Sequence, residues 1–358
     1  MPPFQPQFVL FVASLLFLAT GLKTALADEK NRHLDIYFID VEGGAATLFI
    51  TPTGESLLID SGYPDNNSRD LNRNLKVLKD VAGRTVLDHA CVSHWHLDHF
   101  GNHAALRSQI EIKNFWDRGI PDRLAEDPMF PERIGNYRAA SQNKSNKLVP
   151  GDLLPLRQEN ATASDKTPLQ LKVVTASGEV IPNVGRPNPF AAEHKPQPED
   201  TSDNAQSLSL LLTFGKFTFL CCGDLTWNIE AKLMTPDNPL GTVEMFMVTH
   251  HGLPVSNNPV LVKAVEPHVA VMCNGPTKGG HPQTQKTLRE LKSLEALYQL
   301  HRNVDLKPEE QTPPEFIANQ EPTAECKGQF IKASIAPGGE LYTVQIGNDG
   351  QPRHFHTR

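Results

Sequence analysis

The stretch Ser93-His94-Trp95-His96-Leu97-Asp98-His99-Phe100-Gly101 constrains this chain more than any other. Three histidines and one aspartate crowd into residues 94–99, directly after an apolar, strand-like run at 87–92. On an extended backbone, residues two apart share a face. His94 and His96 can therefore aim two imidazoles at one point. The chain should then turn into a helix over about 101–110, so Asp98 and His99 can reach a second point nearby. Imidazole and carboxylate are the donors that zinc and its first-row neighbours take. A lone histidine at such a turn is most often a polar cap. Four donors at H-x-H-x-D-H spacing read as a metal-binding loop.

Composition limits the partners. The chain has 358 residues, 34 Lys and Arg against 41 Asp and Glu, and a net charge of -7. No global basic surface is available for a nucleic acid, although a local site could still handle phosphates. A small-molecule or phosphodiester substrate stays compatible with this charge. The 29 prolines imply long loops around the core.

Residues 8–20 form an unbroken, mainly apolar run, followed by Ala25-Leu26-Ala27 and the charged Asp28-Glu29-Lys30. The run falls short of the roughly 20 residues of a spanning helix. The A-x-A ending is what a signal peptidase reads. Residues 1–7 carry no Lys or Arg, which leaves an uncleaved anchor as the competing reading. The expectation is a cleaved signal at 1–27, a mature protein from about Asp28 that is secreted or periplasmic, and no stable membrane span after cleavage. Four of the five cysteines, Cys91, Cys221, Cys222 and Cys273, sit in apolar runs as small hydrophobes, and Cys326 lies in a polar loop. The spacing indicates neither a disulfide framework nor a zinc ribbon.

Before the histidine loop, residues 33–40 alternate like a strand, 41–44 turn, 45–51 and 56–60 read as a hairpin, and leucines 71, 75 and 78 mark an amphipathic helix. Beyond the loop the pattern weakens: a short helix is expected around 136–146, a strand at 169–176 and a long loop at 181–204. Residues 207–214 and 217–224 read as a second hairpin ending in Gly223-Asp224, and 243–249 as a strand ending in His250-His251-Gly252. A helix is expected over 283–299, a polar loop over 302–328 and a strand pair at 329–335 and 341–347.

DVEGGAATLFITPTGESLLIDSG at residues 40–62, the histidine loop, Asn204-x-x-Ser207-Leu208 with Gly223-Asp224, and His250-His251-Gly252 occur in one order. So does Asn274 with Lys278-Gly279-Gly280-His281-Pro282. Together they resemble the ComEC competence-protein branch of the metallo-β-lactamase superfamily. Glu42 and Ala45 depart from the branch's usual Gly and Asp. The resemblance covers about 33–300. It implies an α/β fold in which two mixed sheets stack face to face between helices, an αββα four-layer sandwich in a single domain from 28 to 358, with a long loop insertion at about 120–205.

It also implies two divalent metal ions, zinc first and manganese as an alternative. His94 and His96 would hold one, Asp98, His99 and His250 the other, with Asp224 between them. His250 is the expected ligand of the histidine pair, His251 lining the cleft and, with Asp98, serving catalysis. Asp60 and Asp40 would support from behind. The superfamily's usual third histidine for the first metal is missing; His194 and Asn204 are its candidate replacements, while Ser256, Lys278 and His281 would face substrate. Lys278 and Arg118 are candidate phosphate-facing charges. The implied activity is an exported metallo-hydrolase acting on a phosphodiester or related ester. Alternatives are a lactonase or β-lactamase-like enzyme, or a non-catalytic binding protein on the same fold.

Overall fold

The computed structural model describes residues 33–64, 66–158, 168–321 and 323–358. The expected signal segment and its cleavage point lie outside them. In chain order, Leu34–Phe38 (β1), Thr47–Ile50 (β2), Ser56–Ile59 (β3), Val86–Cys91 (β4), Glu111–Asp117 (β5) and Asn146–Lys147 (β6) build most of the first sheet. The second sheet takes Leu169–Ala176 (β7) and Glu179–Val180 (β8). After the short Arg186–Pro187 (β9), it adds Ser209–Phe214 (β10) and Phe217–Cys221 (β11). Asp237–Asn238 (β12) pairs only with β9. Met245–Met247 (β13), Val269–Met272 (β14), Ala296–His301 (β15) and Ile317–Asn319 (β16) complete the second sheet. Ile331–Ile335 (β17), Leu341–Ile346 (β18) and Arg353–His356 (β19) then return to the first. The spatial orders are β19-β18-β17-β1-β2-β3-β4-β5-β6 and β16-β15-β14-β13-β11-β10-β7-β8.

Strand periodicity explains the stacking. Leu34, Ile36 and Phe38 face the interior shared with Leu210, Leu212, Phe217, Phe219 and Val271 of the other sheet. The alternate residues Tyr37 and Ile39 face outward, under a layer that includes Leu106, Phe130 and Ile134 from helices. On the second sheet, Leu220, Phe246 and Ala270 likewise face Leu233, Leu261 and Val265. Three apolar layers between four layers of secondary structure make the αββα sandwich, as expected from the sequence.

Several local expectations shift. The helix placed around 136–146 is Phe130–Ala140, with Pro131 in its first turn. Within the stretch at about 120–205, the strand β7 falls at the expected residues 169–176. The helix expected over 283–299 ends at Arg289, and Ala296–His301 is a strand instead. All six residues of β15 are buried between parallel neighbours, so the strand shows no polar–apolar alternation. Strands β16 and β19 also escape a reading by alternation, being three and four residues long. All five cysteines are free.

The carboxyl ends of β4, β11, β13 and β14 open onto one edge of the sandwich. The loops that follow them carry residues 92–99, 222–224, 248–252 and 273–281. The histidine loop therefore comes from the first sheet, and its partners from the second.

Candidate metal centre

The centre forms around Asp224. Its Oδ2 lies 3.2 Å from His99 Nε2, 3.3 Å from His251 Nε2, 3.5 Å from His250 Nε2 and 3.9 Å from His94 Nε2. Asp98 Oδ2 is 3.5 Å from Nε2 of both His99 and His251. Donor atoms of Asp98, His99, Asp224 and His251 all lie within 4.8 Å of one another.

The backs of these rings decide what their fronts present. His251 Nδ1 donates to Cys273 O at 3.0 Å, and His99 Nδ1 to Asp60 Oδ2 at 2.8 Å. Ser256 gives its one hydroxyl proton to Leu225 O at 2.7 Å, so it accepts from His250 Nδ1 at 3.1 Å. Ser93 likewise gives its proton to Asp60 Oδ2 at 2.7 Å and accepts from His94 Nδ1 at 3.1 Å. Each neutral ring thus turns a bare Nε2 lone pair inward. Four such lone pairs and two carboxylates converge, and His94 Nε2 has no hydrogen-bond partner among the described residues. This convergence requires positive charge, and the donors suit a divalent first-row ion. Anchoring each ligand ring from behind is how metal sites fix tautomer and direction. The electrostatics agree. Burial opposes charge on His99, yet Asp224, Asp60 and Asp98 raise its pKa well above the ordinary imidazole value, the mark of a strongly negative centre. Burial would raise Asp98 and Asp224, but the neighbouring histidines, with Lys278 in the case of Asp98, hold both well below the usual carboxylate range.

Backbone strain concentrates here. His250 and His251 both adopt left-handed conformations, with φ of 54° and 55°. Two consecutive non-glycine residues at positive φ persist only where their surroundings hold them. Buried Asn257 does so, accepting from Thr249 N and donating to Thr249 O and Leu253 O. On the opposite wall, Ala45 N donates to Asp98 O at 3.0 Å, and a Cβ on Gly44 would lie 2.4 Å from that oxygen. Only glycine lets the turn after β1 seat Asp98.

The paired histidines fall differently from the expectation. His251, not His250, stands between Asp98 and His99, and His250 approaches Asp224 alone. Asp60 lies directly behind His99. Asp40 instead pairs with His301 and Arg73, and anchors the turn bearing Gly44. His96 is turned towards Glu126, 3.1 Å from its Oε1. His194 is not brought to the centre; its Nδ1 meets Asn258 at 3.1 Å. Asn204 Oδ1 is buried without a hydrogen-bond partner among the described residues. His281 caps the helix Pro282–Arg289, its Nδ1 accepting from Gln283 N at 3.2 Å. Arg118 is buried against Asp203, which also accepts from Trp95 N, so it braces the histidine loop. Lys278 reaches Asp98. Two neighbours carry no sequence signal of their own: Glu126, and Tyr63, whose ring lies under Lys278.

A cleft of about 780 Å³ borders the histidine loop through Glu126, the partner of His96, and is lined also by Glu199, Asp200, Trp227, Asn228 and Gln283 among others. None of the described residues lining it is lysine or arginine.

Fold and site define a metal-binding αββα protein. Residues 40–189 match the model of the metallo-β-lactamase superfamily. Among solved structures, the chain is similar to the metallo-β-lactamase fold protein YhfI from Bacillus subtilis. The two share 13% identity over 74% of this chain and 95% of that one, with a TM-score of 0.43. It is also similar to a diphosphatase of the PhnP family, at 10% identity, 74% and 94% coverage and a TM-score of 0.38. A third is MEM-A1, a subclass B3 metallo-β-lactamase from a soil metagenome library, at 14%, 74% and 75%, and 0.33. No match was found among curated proteins.

Proposed function

We propose that this protein is an exported metal-dependent hydrolase of the ComEC-like type, and that it cleaves a small phosphodiester or related ester. The observation that carries the reading is the inward convergence of four Nε2 lone pairs on two buried carboxylates. Asp98, His99 and His251 would hold one divalent cation. His94, with Asn204 Oδ1 replacing the superfamily's usual histidine, would hold another, and Asp224 would lie between. His96 would join His94 on releasing Glu126. Zinc fits the imidazole-rich half best, and the oxygen-richer half would also accept manganese. A bound cation of this kind supplies a water that ionises near neutral pH and a charge that stabilises developing oxyanions.

The chain's own groups supply the rest. Asp60, Cys273 O, Ser93 and Ser256 hold the rings in their tautomers. Lys278 Nζ, beside Asp98, places a cation where a phosphoryl oxygen could sit. The adjoining cleft, with carboxylates on its wall, suits a small uncharged or cationic leaving group and disfavours nucleic acid. The lack of lysine and arginine among the described residues of the cleft favours, as second reading, a lactone or lactam substrate.

Two measurements test the proposal. Elemental mass spectrometry of residues 28–358, purified without chelators, should find metal, near two per chain when saturated. The metal-loaded protein should then hydrolyse a phosphodiester probe, and Asp98→Ala should abolish turnover while circular dichroism stays unchanged. Lactone or lactam hydrolysis alone would select the second reading. Metal-loaded protein with no action on any ester class would leave a binding protein. Export is tested by N-terminal sequencing of the extracytoplasmic protein, which should begin near Asp28.

A further inference from the structure

The centre contains a fixed positive charge. Lys278 Nζ lies 2.5 Å from Asp98 Oδ2. That oxygen is also the one 3.5 Å from Nε2 of His99 and His251. The ammonium therefore sits on the ligand face of the half-site formed by Asp98, His99 and His251. Its side chain is 32% exposed, so it lies at the lip of the site. Its other neighbour is the Tyr63 ring, 5.9 Å from Nζ to the centroid.

The backbone leaves this lysine little choice of position. Gly275 N donates to Lys278 O at 2.8 Å, closing a tight turn after β14. Gly280 N donates to His251 O at 2.9 Å. Between them Gly279, at φ +82°, packs so closely that a Cβ would lie 2.1 Å from His251 O. Across the gap, a Cβ on Gly43 would lie 3.1 Å from Lys278 Cβ. The loop is thus locked onto the backbone of one half-site residue and packed against the turn that seats another. His94 Nε2, 3.9 Å from the same Asp224 oxygen, has no such partner among the described residues.

We propose that Lys278 is a built-in competitor for the second cation. In metal-poor protein its ammonium neutralises Asp98, and a metal entering the half-site of Asp98, His99 and His251 must displace it. The two halves then fill with unequal affinity, and a one-metal species persists over a wide range of metal concentration. This inference rests on the metal-centre reading above. The physical basis is that an ion pair already satisfying a buried carboxylate must be broken before that carboxylate can ligate, whereas a carboxylate left without its partner gains more from any cation offered.

The test is calorimetric titration of zinc alone into metal-stripped wild-type protein, Lys278→Met and Lys278→Arg, with circular dichroism as the check on folding. Wild type should bind a first equivalent at least ten-fold more tightly than a second. Lys278→Met should tighten the second at least ten-fold while moving the first by less than three-fold, and Lys278→Arg should stay close to wild type. If Lys278→Met does not fold, Lys278→Gln takes its place. An unchanged or weakened second equivalent in the neutral variant overturns the proposal. Loss of all zinc binding in wild type would instead overturn the metal-centre reading on which it depends. The absorption of bound cobalt, followed through the same titration, gives a second readout of which half fills first.

Discussion

Asp60 Oδ2 accepts from His99 Nδ1 at 2.8 Å and from Ser93 Oγ at 2.7 Å, while its Oδ1 accepts from Ser93 N at 2.8 Å. One buried carboxylate therefore sets the tautomer of a ligand ring and the conformation of the loop that bears it. Replacing Asp60 with Ala should weaken zinc binding by about 10- to 100-fold, the usual cost of losing such a partner. Competition titration against a chelating dye would measure it. An affinity within two-fold of wild type would mean that Ser93 and packing suffice to orient His99.

His250 and His251 separate by substitution. His251→Ala should lower bound metal by one ion per chain, because it removes the ring between Asp98 and His99. His250→Ala should keep both ions and reduce turnover. Metal content of the two variants, each dialysed against the same zinc buffer, discriminates. The reverse pattern would restore the assignment expected from the sequence.

Away from the centre, His301 and Asp40 form a fully buried pair at 2.7 Å. Burial disfavours the imidazolium, but the hydrogen bond that His301 donates to Asp40, with Cys326 adding to it, raises the His301 pKa to about 9. An unfolded histidine titrates near 6.5. The stabilisation from this pair is therefore complete below about pH 6.5 and is lost as the pH climbs through about 9. It is worth on the order of 3 kcal/mol. Thermal unfolding of wild type should weaken across that window, and His301→Gln, less stable at pH 6, should show a flatter profile. Parallel profiles would remove His301 as the cause.

The carboxylates of the cleft should act on substrate choice. The double variant Glu199→Gln with Asp200→Asn should raise kcat/KM for anionic esters and lower it for cationic ones. A shift of roughly three- to ten-fold in the ratio is expected at low salt, shrinking as screening increases. Equal effects on both esters, or none, would place the substrate elsewhere.

What the chain discloses before folding follows from how local each signal is. The histidine loop is readable because its donors sit side by side after a strand. Asp224 is readable because it ends a hairpin, and the sandwich because apolar runs of strand length recur with helical stretches between them. The choice between His250 and His251 is not readable by alternation, since both stand at positive φ where the strand rule no longer holds. Glu126 and Tyr63 meet the centre only through tertiary packing, from loops without a motif. Strand β15, buried on both faces, resembles the continuation of a helix when only its apolar content is read.

The division of the centre between two sheets has a consequence for dissection of the gene. The segment that matches the superfamily model stops at residue 189. It contributes the histidine loop and Asp60, but none of Asp224, His250, His251 or Lys278. A fragment ending there has one jaw of a vice. Two fragments split in the 181–204 stretch should regain metal uptake only on mixing, which makes that uptake a direct report of whether the two sheets have come together.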